Sequence, residues 1–438
     1  MVAESRRILP WGGDADVRSL SPRVSFRGAI PHSRRLCGGR VRPASDASDH
    51  GFRGGLPQRG VTMRTGGVGF LVTVGAVVLV MGTAQTGFAG VLRVDQSGDP
   101  GTYASIRDAV QMAADGDTVL VAPGTYTGPD NRNIRIPDLD INIVSAAGPE
   151  STVIDVEWTQ AAFRALDYQH NDSMIRGFTF KNGSSTWGAV KGDGPMSVRV
   201  VDCWFSECET GILCEQNSNL RIRDCLFSNN HSSIGGSAIR IDSSQPEITD
   251  CVFRENSSDG SGGAIDCWGA MCKPQIQGCL FVDNTAGGFG GAICGKEFSR
   301  PTITNCTFVG NSAAESGGAL YFEALYGAVL ENCIIAFNGG PNPFGCGTSD
   351  PQIWRSLLFG NAGADTVCGS VLQYVVTDPR FCGVTARDVT LCADSPALPD
   401  SPENPWGELI GCFDLGCGPC GSAVEGASWG GIKALFRP

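Results

Sequence analysis

The stretch CVFRENSSDGSGGAID, residues 251–266, decides the fold because it recurs along the chain. It returns as CLFVDNTAGGFGGAIC at 279–294 and as CTFVGNSAAESGGALY at 306–321. A repeat of roughly 20–50 residues is typical of solenoids, in which each unit buries its apolar side only against its neighbours. The sequence therefore predicts one repetitive domain rather than several globular ones.

Apolar residues within each repeat alternate with polar ones, as at Cys251 and Phe253 or at Ile239 and Ile241. Such short runs, rich in Val, Ile, Phe and Thr and separated by Gly, Asn, Asp, Ser and Pro, are typical of strands and turns. Strands that recur in one direction must stack in parallel, about 4.8 Å apart. We therefore predict a parallel β-helix of about ten coils, from about Thr118 to Val376.

Stacked coils place equivalent residues above one another in columns. A small cysteine suits a crowded corner, an aromatic ring fills the interior, and asparagine side chains bond along the stack while tolerating a left-handed backbone. The glycines of Gly-Gly-Ala are expected to relieve a tight bend. The expected columns are Cys203, Cys225, Cys251, Cys279 and Cys306, then Phe205, Phe227, Phe253, Phe281 and Phe308, and an asparagine ladder of Asn230, Asn256, Asn284, Asn311 and Asn338. One cysteine per coil does not form a tetrahedral cluster, so we expect buried thiols there and no metal ligands.

Both ends of such a stack need caps, because open strand edges aggregate. At the front, Ser105 is expected to cap a short helix with Asp108, with Ile106, Ala109, Val110 and Ala113 on one face. At the rear, we predict an irregular cap over 377–420. Its cysteines, with Cys346 and Cys368 just upstream, are expected to form disulfides of undetermined pairing. Those of the segment itself are Cys382, Cys392, Cys412, Cys417 and Cys420.

Charge divides the 438-residue chain unevenly around its net −12. Residues 1–62 hold 11 Lys+Arg against 5 Asp+Glu, whereas 91–438 hold 21 against 40, a net of −19. So acidic a surface argues against nucleic acid as a partner. Residues 1–62 have no periodic pattern, and we interpret them as a disordered or mis-annotated extension.

Residues 63–89 have the layout of a secretory signal peptide: Arg64, an apolar run and the small-residue end Gly87-Phe88-Ala89. A transmembrane helix is the alternative, and the run is short for one. Export agrees with the 18 cysteines that follow, an even count. We therefore predict a β-helix over 90–376, the cap over 377–420, a flexible tail over 421–438 and a secreted or cell-envelope location. Membrane contact is expected only through an uncleaved signal.

Three resemblances accompany these patterns. F-x-x-N, as at Phe253–Asn256, interleaved with G-G-A-[IL] resembles the repeat of polymorphic outer membrane proteins, which are autotransporter adhesins. SIRDAV…GDTVLVAPGTY is similar to the opening of right-handed β-helix proteins of the pectin-lyase-like superfamily, and the rear segment resembles the closing segment of many secreted bacterial β-helix proteins. The resemblance implies an all-β, single-stranded, right-handed parallel β-helix. Only about 60 residues follow Val376, and no translocating domain, so we do not expect an autotransporter.

The motifs of the enzymatic β-helix families, such as Asn-Thr-Asp with Gly-His-Gly, do not occur, and no Ser-His-Asp arrangement is recognisable from the four histidines. We therefore assign no catalytic residue and no metal ligand. The candidate ligand-binding residues lie on the Gly-Gly-Ala strand, where residues between the inward ones point outward. The two outward columns are expected to be Leu213, Arg240, Asp266, Cys294 and Tyr321, then Glu215, Asp242, Trp268, Lys296 and Glu323.

Of these, Arg240, Asp242, Asp266, Trp268, Lys296, Tyr321 and Glu323 form the candidate site. Aromatic rings stack on sugars, and carboxylates hold hydroxyls, a cation such as calcium, or a proton. The alternative is an ordinary solvated face with ion pairs Arg240–Asp266 and Lys296–Glu323.

Three functions stay open because one solenoid fold serves many roles. The first is an exported, non-catalytic and monomeric protein that binds polysaccharide or a cell-envelope component along its side. The second is a carbohydrate-active enzyme, a lyase or hydrolase of acidic glycans, although a strongly negative face repels polyuronates unless calcium intervenes. The third is a structural surface-layer component. We expect no cofactor, with calcium left open.

Overall fold

A computed structural model describes residues 89–166, 172–195, 197–323, 328–383 and 388–420. The predicted extension 1–62, the predicted signal peptide except Ala89, and the predicted tail 421–438 lie outside the described residues. Within these residues, no helix has the length and apolar character needed to cross a membrane.

The chain winds into a parallel β-solenoid whose coils each contribute strands to up to four stacks. A 21-stranded sheet holds the first two stacks, and nine-stranded and four-stranded sheets form the third and fourth. The first stack consists of Val91–Val94, Thr118–Val121, Asn142–Ser145, Met174–Arg176, Arg199–Val201, Arg221–Arg223, Glu247–Thr249, Gln275–Gln277, Thr302–Thr304, Val329–Glu331, Gln352–Phe359 and Val371–Val376. The second consists of Gly124–Tyr126, Thr152–Asp155, Thr179–Lys181, Trp204–Ser206, Leu226–Ser228, Val252–Arg254, Leu280–Val282, Thr307–Val309 and Ile334–Ala336, and it continues into the last two strands of the first.

The third stack, which carries the candidate site, runs beside these two. Its strands are Ile134–Arg135, Phe163–Leu166, Val190–Asp193, Ile212–Glu215, Ile239–Asp242, Ile265–Trp268, Ile293–Gly295, Leu320–Phe322 and Phe344–Cys346. The fourth stack is short, with strands His231–Ser232, Ser257–Ser258, Thr285–Ala286 and Ser312–Ala313. The predicted strand-and-turn repeat is confirmed, and the twelve rungs of the first stack correct the predicted ten. One of the added rungs is Val91–Val94, which pairs with Thr118–Val121 ahead of the expected start.

The phenylalanine column lies in the interior and stacks face to face. The rings of Phe180, Phe205, Phe227, Phe253, Phe281 and Phe308 follow one another with centroids 4.6–4.9 Å apart and planes within 18° of parallel. All six side chains are fully buried. Strand spacing, rather than the rings' own preference for offset or edge contacts, sets this geometry.

The asparagine ladder runs along one buried corner. Asn230 Nδ2 donates to Asn256 Oδ1 at 2.8 Å, and the same bond links each later pair up to Asn338 and Asn361. Each amide also donates to a backbone carbonyl one coil earlier, which belongs to a phenylalanine for the first five members, as for Asn256 and Phe227 at 3.1 Å, and to Ile335 for Asn361. The predicted ladder is therefore confirmed and gains Asn361. Its members do not adopt the left-handed backbone expected of them, because the preceding residues do: Asn229, Glu255, Asp283, Gly310 and Phe337.

The cysteine column occupies the corner between the first two stacks. Cys251 Sγ donates to the Thr249 carbonyl at 3.2 Å, and the same bond recurs at the other members. Burial raises the pKa of the Cys251 thiol well above its ordinary value. As predicted, these are buried thiols outside any disulfide, and Cys333 extends the column.

The Gly-Gly-Ala bend requires its glycines for two separate reasons. Gly262 has φ of 65°, in the left-handed region that glycine tolerates. A Cβ on Gly263 would lie 2.2 Å from the carbonyl oxygen of Gly291 on the next coil. The bend is thus tight in conformation and in its approach to the neighbouring coil.

The front helix, Ile106–Met112, forms where it was predicted, and Ser105 Oγ accepts from the Asp108 backbone N–H at 3.1 Å. Ile106, Ala109 and Val110 are buried in the main core. A short 3₁₀ turn, Pro129–Asn131, adjoins it, and Asn131 Oδ1 accepts from the Ile106 backbone N–H.

The rear segment differs in placement from a plug on the end of the stack. It holds a small sheet of strands Phe381–Gly383, Asp388–Cys392 and Leu415–Cys417. Its apolar residues form a second core with outward-facing residues of the last coils. The coils contribute Val309, Ile334, Ala336, Phe337 and Leu357, and the rear segment contributes Phe381, Val389, Leu391, Ala397 and Ile410. The segment therefore packs along the flank of the last coils. Three of the expected disulfides are present, as Cys346–Cys368, Cys382–Cys417 and Cys392–Cys420. Cys412, which was also expected to form one, is buried outside any disulfide.

Truncation of one interior ring tests the stacking. We expect Phe253→Ala to lower the free energy of unfolding by about 3–5 kcal/mol, because it leaves a ring-sized cavity between two packed rings. Chemical denaturation of the variant beside wild type measures the loss. The outward-facing neighbour Val252→Ala is the control, with an expected loss below about 1 kcal/mol; equal losses would contradict an interior role.

Thiol labelling tests the burial of the cysteines outside the disulfides. The twelve in the described part of the chain are all buried, so we expect no alkylation by iodoacetamide at pH 8 until denaturant is added. Peptide mass mapping identifies the labelled positions. Rapid labelling of Cys251 or Cys279 in the native protein would contradict the solenoid interior.

Candidate functional site

The third stack brings the predicted outward residues into register. Leu213, Arg240, Asp266, Cys294 and Tyr321 are direct neighbours on successive strands. In the second column, Asp242 is opposite Trp268, while Lys296 and Glu323 directly follow their strands. Alternation and repeat length thus placed these side chains on one face.

The first column is not the open surface that alternation suggested. Leu213 and Cys294 are buried and Tyr321 is 8% exposed. The glycine-rich bends fold back over this column: a Cβ on Gly235 would lie 2.8 Å from Asp266 Oδ2. The period-two pattern gives the direction of a side chain but not what a following bend lays over it.

Asp266 is the electrostatically unusual member of this face. Its Oδ1 atom is buried and, among the described residues, has no hydrogen-bond partner. Burial raises the pKa of this carboxyl to about 6, although the positive charges of Lys296 and Arg240 oppose the rise. The carboxyl therefore titrates near neutral pH beneath a cover of backbone.

Lys296 ties the covering bend to the sheet. Its Nζ donates to Ser261 Oγ at 2.8 Å and lies 5.3 Å from the centre of the Phe289 ring. The Phe289 ring in turn packs on Tyr321, with centroids 4.4 Å apart. Lys296 thus holds two successive bends in place and is not free to act as a separate cation.

The two ion pairs of the alternative, solvated-face interpretation do not form: the described residues contain no contact within 4.0 Å between the charges of Arg240 and Asp266 or of Lys296 and Glu323. Asp242 Oδ1 instead accepts from the neighbouring Ser243 hydroxyl at 3.0 Å. Because the bend lies over Asp266, the three carboxylates of the predicted site do not face one open groove. These carboxylates are Asp242, Asp266 and Glu323.

The same face continues upstream with a charged cluster that sequence reasoning missed. Lys191 Nζ lies 2.7 Å from Glu215 Oε2 and 3.9 Å from Asp193 Oδ2. It also lies 5.0 Å from the centre of the Trp187 ring, whose surface Arg164 contacts at 4.8 Å. The sequence does contain the information needed to find this cluster. Extending the column of Leu213 by two coils towards the N-terminus reaches Lys191 and then Arg164.

The open part of this face is the row of turns by which the chain leaves the third stack, here called the exit turns: 193–195 with 197–198, 215–219, 242–246, 268–274 and 296–300. Three of them, with Leu166, line a groove of about 620 Å³ whose polar groups are Asp193, Gln216, Asn217 and Gln245. The next two carry exposed apolar side chains: Trp268 is 44% exposed, Met271 46% and Phe298 44%.

Phe298 is held in an uncommon backbone conformation, with φ of 67°. The same left-handed backbone occurs at other bulky corner residues of this chain, such as Phe337 and Trp158, so at Phe298 it marks a tight turn that directs the side chain outward. The amides and the apolar groups thus follow one another along one edge of the solenoid. The predicted site has two aromatic residues, Trp268 and Tyr321. Of these two, Trp268 lies on this open edge and Tyr321 does not.

A serine, a histidine and an aspartate lie close together at the fourth stack, although no Ser-His-Asp arrangement was recognisable in the sequence. His231 Nδ1 is 2.9 Å from Ser257 Oγ, and its Nε2 is 3.7 Å from Asp259 Oδ2. The side chains of His231 and Asp259 are 60% and 68% exposed. Charges so open to water interact weakly, so we assign this cluster no catalysis.

Comparison with known families matches the chain to two family descriptions. Residues 146–290 match the right-handed β-helix region, and residues 305–323 match the repeat of the Chlamydia polymorphic membrane protein. These matches confirm the recognition of a right-handed β-helix with polymorphic-membrane-protein-like repeats. No curated protein matches the chain.

Among solved structures, similar chains include the pectate lyase Pel9A, at 12% identity and a TM-score of 0.42 over 75% of this chain and 97% of that one. Another is the A-module of the Azotobacter vinelandii mannuronan C-5 epimerase AlgE6, at 15% identity and a TM-score of 0.37 over 62% and 76% of the two chains. Likeness this distant says nothing of substrate or activity.

The covered carboxyl gives a prediction with a definite sign. Asp266 titrates near 6 when folded and near 3.9 when unfolded, so the native state binds more protons between these values and loses stability as pH rises through them. Asp266→Asn removes that loss. We expect the variant to be about 1–3 kcal/mol more stable than wild type at pH 7 and equally stable at pH 3.

Urea unfolding at both pH values measures this difference. Burial and the nearby Asp224 also raise the pKa of Asp250 to about 6, but that contribution cancels between the two proteins. Asp242→Asn, on the same face but at an exit turn, is the matched control, with no pH-dependent gain expected. A pH-independent change in Asp266→Asn would contradict a buried, titrating carboxyl.

Proposed function

We propose that this protein is an exported, non-catalytic β-helix protein of the cell surface or extracellular space that binds a neutral polysaccharide along its exit turns. The observation that carries the proposal is the row of exposed apolar side chains, Trp268, Met271 and Phe298, continuous with an amide-lined groove. Stacked coils repeat these turns at strand spacing, which suits a ligand that is itself a repeating chain.

Two observations support a location outside the cytoplasm. Residues 305–323 match the repeat of the Chlamydia polymorphic membrane protein, and three disulfides join cysteines of the rear part of the chain. Disulfides persist in oxidising compartments and are rare in the cytosol. Both agree with the signal peptide that the sequence predicts at 63–89.

The chemistry of the exit turns supports a sugar ligand. Binding sites combine apolar and aromatic surface with a few placed polar groups. Here Gln216, Asn217 and Gln245 offer amide donors and acceptors for hydroxyl groups, and the Trp268 ring offers a face for the C–H side of a sugar. The net charge of −19 over residues 91–438 repels polyuronates, which favours a neutral polymer.

The second function, an enzyme acting on acidic glycans, has less support from this face. Asp266, the carboxyl of this face whose pKa burial raises, lies against Gly235 and the bend over it. General acid or base catalysis requires hydrogen-bond reach to the substrate. Asp266 itself is partly exposed, but its Oδ1 atom is buried against that bend, which restricts the access of a polymer to the carboxyl.

A glycan array probed with the whole protein, with and without calcium, tests the proposal. We expect binding to neutral polysaccharides, no reducing-end release and no calcium requirement. Trp268→Ala and Phe298→Ala should each weaken binding about tenfold or more, since exposed aromatic side chains that become buried under a ligand carry much of the binding energy.

Trp204→Ala is the matched control, because Trp204 is a partly exposed tryptophan on the second stack, and its removal should leave affinity unchanged. Release of oligosaccharides would favour the enzyme. Absence of binding to any glycan, or equal effects of Trp204→Ala and Trp268→Ala, would overturn the proposal and leave the structural surface-layer role.

A further inference from the structure

Four cysteines of the rear segment converge on one point. The strands Phe381–Gly383 and Asp388–Cys392 form an antiparallel pair that carries Cys382 and Cys392, and Leu415–Cys417 adds Cys417 in register with Cys392. The sulfur atoms of Cys382, Cys392 and Cys417 lie within 4.8 Å of one another. Cys420 follows Cys417 after two residues and joins the same cluster.

The distances between sulfurs that are not bonded to each other are the informative ones. Cys417 Sγ is 3.6 Å from Cys392 Sγ and 3.8 Å from Cys420 Sγ. A tetrahedral zinc ion with Zn–S bonds of about 2.3 Å places its sulfur ligands about 3.8 Å apart. The sulfur atoms of the two disulfides Cys382–Cys417 and Cys392–Cys420 are thus about as far apart as the sulfur ligands of a single zinc ion.

The spacing of these residues also fits a metal site. Cys417-Gly418-Pro419-Cys420 is a C-x₂-C pair, a spacing typical of structural zinc sites, and the other two cysteines come from an antiparallel strand pair. The backbone N–H of Cys420 donates to Asp394 Oδ1 at 3.0 Å, which fixes the pair against the hairpin. Within the described chain, the disulfide Cys346–Cys368 belongs to no such group of metal-ligating side chains.

We propose that in the reduced chain Cys382, Cys392, Cys417 and Cys420 bind one zinc ion as a tetrathiolate site. Zinc and the two disulfides are mutually exclusive uses of the same sulfurs. Zinc stabilises the rear segment before export, and thiol–disulfide exchange replaces it: the four thiolates form two disulfides and release the zinc ion, while two disulfide bonds of a dithiol oxidant accept two electrons each and become four thiolates. This site is independent of glycan binding at the exit turns.

Metal analysis of the full chain, prepared and kept reduced under a phosphine, tests the proposal. We expect about one zinc ion per chain and, after cobalt substitution, the thiolate-to-metal charge-transfer absorption of a tetrahedral site. Cys417→Ser/Cys420→Ser should lose the zinc, whereas the matched control Cys346→Ser/Cys368→Ser should retain it.

Oxidation of wild type gives a second readout that does not depend on a variant folding. Each diamide molecule takes two electrons and two protons, so two of them convert the four thiols to two disulfides. A chromogenic chelator should then detect release of the one bound zinc ion. Zinc absent from the reduced protein, kept after full oxidation, or kept in Cys417→Ser/Cys420→Ser would overturn the proposal.

Discussion

Register between coils is the constraint on which the rest of this structure depends. Parallel pairing sets each residue directly beside its equivalent one coil on, as Phe227 beside Phe253 and Phe253 beside Phe281. Equivalent side chains in a column are separated by the distance between strands. Only side chains that pack or bond favourably at that distance fit there, such as flat rings, hydrogen-bonded amides or small thiols. Interior positions therefore admit few residue types, while turns vary freely, and any ligand site is confined to the exterior.

The exterior is itself divided by the bends. Gly-Gly-Ala bends fold back over the first outward column, where they bury Cys294 and Tyr321 and one carboxylate oxygen of Asp266. On the opposite flank, the rear segment covers Val309 and Ile334. What stays open on the candidate face is the edge where the chain leaves the third stack, and this is where the exposed tryptophan and the amide-lined groove lie. The bends thus determine which part of this face is open to a ligand.

Much of the fold followed from the sequence because its information is local and repeated. The Cys, Phe and Asn columns, the Gly-Gly bend and the Ser105-capped helix each rest on a short pattern with one physical solution. The candidate site followed only in part. Alternation placed Asp266 and Tyr321 on the outward face, but the cover over them depends on how Ser261 and Phe289 of following bends meet Lys296. The flank position of the rear segment was equally hidden, because apolar residues such as Ile410 and Leu391 do not indicate which surface they pack against.

The asparagine ladder has a consequence for how such a chain changes length. Its amides all donate in one direction, so every member fixes the orientation of the next. Between consecutive members the chain takes 26, 28, 27, 27 and 23 residues, from Asn230 to Asn361. The turns absorb these differences, yet each coil supplies one amide. A gene encoding this protein can therefore add or delete entire windings, or a few residues in a loop, but a lone codon inserted beside the corner interrupts a relay of polar groups that extends through half the molecule.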